Sequence, residues 1–132
     1  MYCRLDHTDG LRRYFLSRNE RAGMRNRAIV ISDTQGTIQM WSEGATHLFG
    51  FAEEEAIGRK LDIVVPAHLR DDHWRGFHGA MASGVVHGEG QFSDIPGLQK
   101  NGDIRTFRVQ LQLLRDEQKI PIGAMAIFVG QQ

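Results

Sequence analysis

The stretch AIVISDTQGTIQMWS, residues 28–42, decides the fold. Its first six residues are rich in β-branched side chains and end at Ser32-Asp33, and TIQMWS reads as a second strand. Between them Thr34-Gln35-Gly36 is a turn, with Gly36 at the position where positive φ is needed. The chain therefore opens its core on an antiparallel hairpin. A matching signal lies near the other end. Residues 104–114 alternate strictly, with Phe107, Val109, Leu111 and Leu113 on one face and Thr106, Arg108, Gln110 and Gln112 on the other. Lys100-Asn101-Gly102 is a hairpin turn before it, Arg115 to Pro121 is a polar turn after it, and Ile122 to Val129 reads as a last strand.

Between these β regions the punctuation is helical. Ser42 can cap a helix from Glu43 to Phe49, stopped by Gly50, and a short acidic helix over 52–57 stops at Gly58. Leu61 to Val65 is a short apolar segment. A longer amphipathic helix is expected from Pro66 to Gly84, opened by the proline and closed by the glycine. Stepping by three and four from Leu69 puts His73, Gly76, Phe77, Ala80 and Met81 on one side. His73 thus shares the apolar stripe, and two readings stay open for it: contact with a flat ligand, or a packed imidazole with a backbone partner. Trp74 is expected in or beside the core. After Gly84 a strand is expected over Val86–Ser93, weakened by Gly88 and Gly90.

Residues 8–21 form one further helix in this reading, capped by Thr8 or Asp9, with Leu11, Tyr14, Phe15 and Arg18 at helical spacing and a break at Ala22-Gly23. Its short stripe needs either the domain behind it or a second copy to lie on. The order is helix, two strands, several short helices, three strands: an α+β domain with helices over one sheet face. Residues 1–24 are a flanking helix and linker, and 25–132 the domain proper.

The totals narrow the function classes. The chain has 132 residues, 41% hydrophobic and 24% charged, and zero formal net charge. One core is expected, with no electrostatic recruitment of nucleic acid. Residues 1–27 carry seven arginines against Asp6, Asp9 and Glu20, a local +4 read as a solvated helix face. Cys3 is the single cysteine, so no internal disulfide and no cysteine-rich zinc site can form. No apolar run is long enough to span a membrane, and no secretory signal is visible, so a cytoplasmic setting is expected. His68, His73 and His78 are spaced by five, about 140° apart on a helix, which is poor geometry for one tetrahedral ion. No nucleophile–base constellation or phosphate loop is present, and no enzyme activity is expected.

Taken together, IVISDTQGTIQMWSEGATHLFGFAEEEAIGRK, VVPAHLR, LQKNGDIRTFRVQLQLL and PIGAMAIFV resemble a PAS domain from about Ala28 to Val129. Trp41-Ser42 departs from that family's usual Trp-Asn. The resemblance implies a sensory module with a five-stranded antiparallel sheet and short helices on one face. The helix segment is similar, more narrowly, to the haem PAS domains of rhizobial oxygen-sensor kinases. Pro66, Arg70, His73, Ser83 and Gly84 fall in the places of that group's helix, where a histidine is the proximal iron ligand. This resemblance implies haem b held by His73, with Phe77 beside it on the stripe, His87 near a propionate, and Val109 and Leu111 against the distal side. Ser93 stands where the group has an oxygen-stabilising arginine, and Gly79 where it has a propionate-binding arginine. No methionine stands at a usual distal-ligand position. A five-coordinate iron with an apolar distal side is implied, without the oxygen-specific mechanism. The covalent flavin chemistry of light-sensing relatives needs a cysteine within the helical region, which Cys3 does not supply. The alternative reading is a haem-free PAS module that mediates dimerisation or other protein contacts, or binds another small ligand. A homodimer through the N-terminal helix is expected, with output through a partner or a segment beyond this chain.

Overall fold

The computed structural model describes residues 26–130. The helix expected over 8–21 lies outside them. Five strands form one antiparallel sheet: β1 Arg27–Ser32, β2 Ile38–Trp41, β3 Phe92–Leu98, β4 Ile104–Arg115 and β5 Pro121–Val129, in spatial order β2-β1-β5-β4-β3. The α+β expectation is met. The first hairpin joins the last strand at the middle of the sheet, with Ala28 opposite Phe128 and Val30 opposite Ala126. Gly36 turns the hairpin at φ 77°.

Alternation decides what each face carries. Ala28, Val30 and Ser32 of β1, Phe107, Val109 and Leu113 of β4, and Phe128 of β5 are buried on one face. Over them lie α1 (Glu43–Phe49), α2 (Glu53–Ala56) and a 3₁₀ turn at Leu61–Val64. Ala45, Leu48, Phe49, Ala56 and Val64 complete the core from these elements. Its centre is aromatic. The Phe49 ring meets Trp41, Phe107 and Phe128 at centroid distances of 5.8, 5.2 and 5.0 Å in tilted or edge arrangements. The Trp41 indole N–H is satisfied by Thr46 Oγ1 and the Phe51 carbonyl.

Two element boundaries differ from the sequence expectation. Pro66 opens a separate 3₁₀ turn at Ala67–Leu69, and the α-helix proper, α3, is Arg70–Ser83. The strand expected over 86–93 is shifted to Phe92–Leu98, because Gly88 and Gly90 take positive φ and turn the chain instead. Pro96 is tolerated inside β3 because β3 is an edge strand, where an absent N–H breaks no ladder. Among the described residues no helix is long and apolar enough to cross a membrane.

Ser42 ties the two layers together. Its hydroxyl oxygen accepts from the Ala45 amide as helix cap and from the Ile29 amide of β1, at 3.2 and 2.9 Å. Ser42→Ala strands both amides and is expected to lower stability by about 1–2 kcal/mol. Ser42→Asn, which retains a capping oxygen, should recover most of the loss in urea unfolding.

Candidate functional site

Helix α3 is amphipathic in sequence, yet none of its residues is fully buried. It stands off the sheet, and the gap is a cavity of about 570 Å³, within the range of small-ligand sites. The helix wall is Leu69, His73, Phe77 and Met81, following the predicted stripe. The sheet wall is Val30, Ile95, Val109, Leu111, Leu113, Ala126 and Phe128. Leu61, Val64 and Val65 close one end, and Val85, Val86 and His87 of the segment after α3 line the other. Polar residues in the lining are few: Ser32, Asp72, His73, His87 and Gln112.

His73 is half-buried, and its Nδ1 is shielded with no hydrogen-bond partner. Burial pushes the imidazole below its ordinary value of 6.5, opposed by the Asp62 carboxylate and reinforced by His78. Burial thus favours the neutral ring, which retains a lone pair on one nitrogen. It packs edge-on to Trp74 at 4.9 Å and tilted against Phe77 at 6.1 Å.

The expected site residues separate into two groups. His73, Phe77, His87, Val109 and Leu111 all line the cavity, His87 from an exposed position and Leu111 40% exposed near its mouth. Ser93 does not. It sits opposite Val109 in the β3–β4 ladder, on the same face, but is exposed and outside the lining. Gly79 is exposed and also outside it.

Two anchors that sequence periodicity does not announce hold α3 in place. At its N-terminal end the Trp74 indole N–H donates to Asp62 Oδ1 at 2.6 Å, and Arg70 donates to the Val65 and Asp62 carbonyls. The Trp74 ring edge lies so close to Gly36 that a Cβ there would stand 2.3 Å from two ring carbons. Trp74 thus joins the helix to the β1–β2 turn, and its ring also stacks on His78 at 5.6 Å. At the C-terminal end Arg115 of β4 donates to both Glu89 oxygens, at 2.7 and 2.8 Å, and to the Gly84 carbonyl at 3.0 Å. Glu89 also accepts from the Leu113 amide at 3.0 Å. This arrangement pins the segment that closes the cavity's far end onto the sheet.

The family model for the PAS fold matches residues 25–129. The chain belongs to the PAS family. This PAS domain is 41% identical over 46 residues to the sensor protein FixL of Bradyrhizobium diazoefficiens, a match covering 35% of this chain and 9% of that protein. The chain thus spans under a tenth of that relative. Among solved structures, the domain superposes on a PAS domain from Colwellia psychrerythraea with TM-score 0.67 and 24% identity, covering 86% of this chain and 95% of the other. An RNA-binding light-oxygen-voltage receptor gives 0.64 and 15%, covering 84% and 31%. These structural likenesses establish the PAS fold.

Two outcomes follow from the anchors. Gly36→Ala meets both the Trp74 ring and a positive-φ penalty, so a loss of about 1–3 kcal/mol is expected. In a Trp74→Leu background the steric part should vanish, and a urea double-mutant cycle reads the difference. The Arg115 hydrogen bonds, then the Leu113 amide, hold the Glu89 carboxyl at about 2, below its ordinary 4.5. A depressed folded-state value stabilises fully above the unfolded one and is lost as pH falls through about 2. Wild type should therefore lose stability between those two values more steeply than Glu89→Gln, as followed by thermal melts.

Proposed function

We propose that this PAS sensory domain binds haem b in the cavity between α3 and the sheet, with His73 as the protein ligand to iron, and reports a diatomic gas or redox state. The observation that carries the reading is a partly buried imidazole, shifted by that burial toward its neutral form, on the helix wall of a largely apolar cavity. A metal ligand must be deprotonated, and burial favours that state at His73. The short FixL match supports the same direction.

The residues present fit the group's apolar ring. Phe77, Leu69 and Met81 would face it from the helix, and Val109, Leu111 and Leu113 from the sheet. The carboxylate end of the group has a single side chain of suitable chemistry, His87, at the far end of the cavity. Arg70 and Arg115, the nearby guanidiniums, are already engaged with backbone carbonyls and Glu89. Haem bound there would supply an iron able to take up a diatomic ligand, with an affinity set by the polarity of the surrounding pocket. Val109, Leu111 and Leu113 of the sheet wall would offer a small ligand held there apolar contacts and no hydrogen-bond donor. Ligand state is then passed to an output partner as a population shift, since a ligand acts through differential affinity for two states. In this reading the domain catalyses no reaction and works in the cytoplasm.

The test is an absorption spectrum of protein produced with added haem precursor, beside His73→Ala. Wild type should carry an intense Soret band, and the variant should lose at least tenfold in haem affinity or show a shifted band. A wild type that stays colourless and cannot be reconstituted contradicts the reading. The haem-free interaction module would then be the better account.

A further inference from the structure

The far end of the cavity is covered by a loop rather than by a helix or a strand. Residues 85–88 follow Gly84 at the end of α3, and Val85, Val86 and His87 line the cavity from them. The two large hydrophobic side chains of the lining that are exposed, Val85 at 61% and Leu111 at 40%, stand at this end. The Leu111 carbonyl accepts from the Gly90 amide at 3.0 Å, so the loop and this stretch of β4 are neighbours. His87 is exposed as well. Here the cavity meets solvent.

The loop is tied at its two ends and nowhere between. One guanidinium holds both ties: Arg115 Nη2 donates to the Gly84 carbonyl at 3.0 Å and to Glu89 Oε1 at 2.7 Å, and Nη1 donates to Glu89 Oε2 at 2.8 Å. This is a two-point pair whose side chains are only 29% and 25% exposed, the kind of ion pair that fixes geometry. The Leu113 amide adds a bond to Glu89, and Gln110 Nε2 adds one to the Gly90 carbonyl. Among the described residues no hydrogen bond joins 85–88 to the sheet. Their bonds are local, from the Val85 amide to Ser83 Oγ, from the Glu89 amide to the Val86 carbonyl and from the Gln91 amide to the Gly88 carbonyl. Gly88 takes φ 70° with open space beside it, since a Cβ there would come no nearer than 3.9 Å to Gln91. Few buried contacts and no bonds to neighbours are the marks of a segment that opens locally at small cost.

We propose that residues 85–88 are the gate through which a small molecule enters and leaves the cavity, and that Arg115 is the positioning residue that keeps it shut. With both ends tied to β4 by one side chain, the short span between them has little room to swing. Without that side chain the loop turns about Gly84 and Gly88, and only Val86 leaves a partly buried place. The gate acts on any occupant, so it stands or falls separately from the haem reading.

The experiment measures access to the cavity with no ligand present. In a Cys3→Ser background, Ala126→Cys puts a thiol on the sheet wall, where residue 126 lies opposite Leu111. Its rate of labelling by dithiobis-nitrobenzoate at low reagent concentration reads how often the cavity opens. Arg115→Gln should raise that rate about fivefold or more, and Glu89→Gln, which keeps the side chain's size, should raise it in the same direction. Ala45→Cys, in the core under α1, reports opening of the whole fold and should label at an unchanged rate when either substitution is added. Lys100→Gln removes a different surface ion pair, with Glu55, and should leave the cavity thiol's rate as it was. A cavity thiol indifferent to both Arg115→Gln and Glu89→Gln would overturn the proposal. So would an equal acceleration at the core thiol, which would make Arg115 a general stabiliser, or an equal acceleration by Lys100→Gln.

Discussion

Helix α3 is fastened at both ends and unsupported in the middle, and the rest of the site depends on that constraint. At one end Trp74 grips Asp62 and lies against Gly36, with Arg70 adding two backbone contacts. At the other, Arg115 and Glu89 tie the Gly84 carbonyl and the following segment to β4. A helix free to settle would collapse onto Val109 and Leu113, because closing apolar space is favourable. Fixed at its ends, it cannot. The cavity is thus a consequence of polar anchoring at its two margins, while its walls stay apolar. This division of labour places the His73 imidazole on a wall with few polar neighbours.

The aromatic core makes that constraint affordable. Trp41, Phe49, Phe107 and Phe128 fill the other half of the same sheet face and bring α1 down tightly onto β1. Stability is concentrated there, so the α3 half can carry open volume without loss of the fold. A void costs stability in proportion to its size, which favours occupation of the site. Ligand binding and helix position are coupled for the same reason: an occupant replaces contacts that α3 lacks.

Much of this was legible in the sequence. The β1–β2 hairpin, the α1 cap at Ser42 and the alternation through β4 rest on local rules, and the structure follows them. The helix stripe put His73, Phe77 and Met81 on one side, and alternation put Val109 and Leu111 on the face that meets them. What was not legible depends on partners distant in the chain. Asp62 with Trp74, Gly36 beneath Trp74, and Glu89 with Arg115 have no periodicity that marks them. The start of β3 is not legible locally, because Val86 and Phe92 look equally strand-like and only the positive φ of Gly88 and Gly90 separates them. Ser93, placed at the site by family resemblance alone, lies opposite Val109 on the cavity face, but its exposure leaves it outside the cavity.

The most direct measurement is ring-nitrogen NMR of ¹⁵N-histidine-labelled protein titrated with zinc protoporphyrin, a redox-silent stand-in for haem. The account predicts that the His73 ring nitrogens alone take up a metal-coordinated shift, with smaller changes at His87 and none at His47. A porphyrin that binds while the His73 nitrogens keep their free-imidazole shifts, or that coordinates a different histidine, would contradict it.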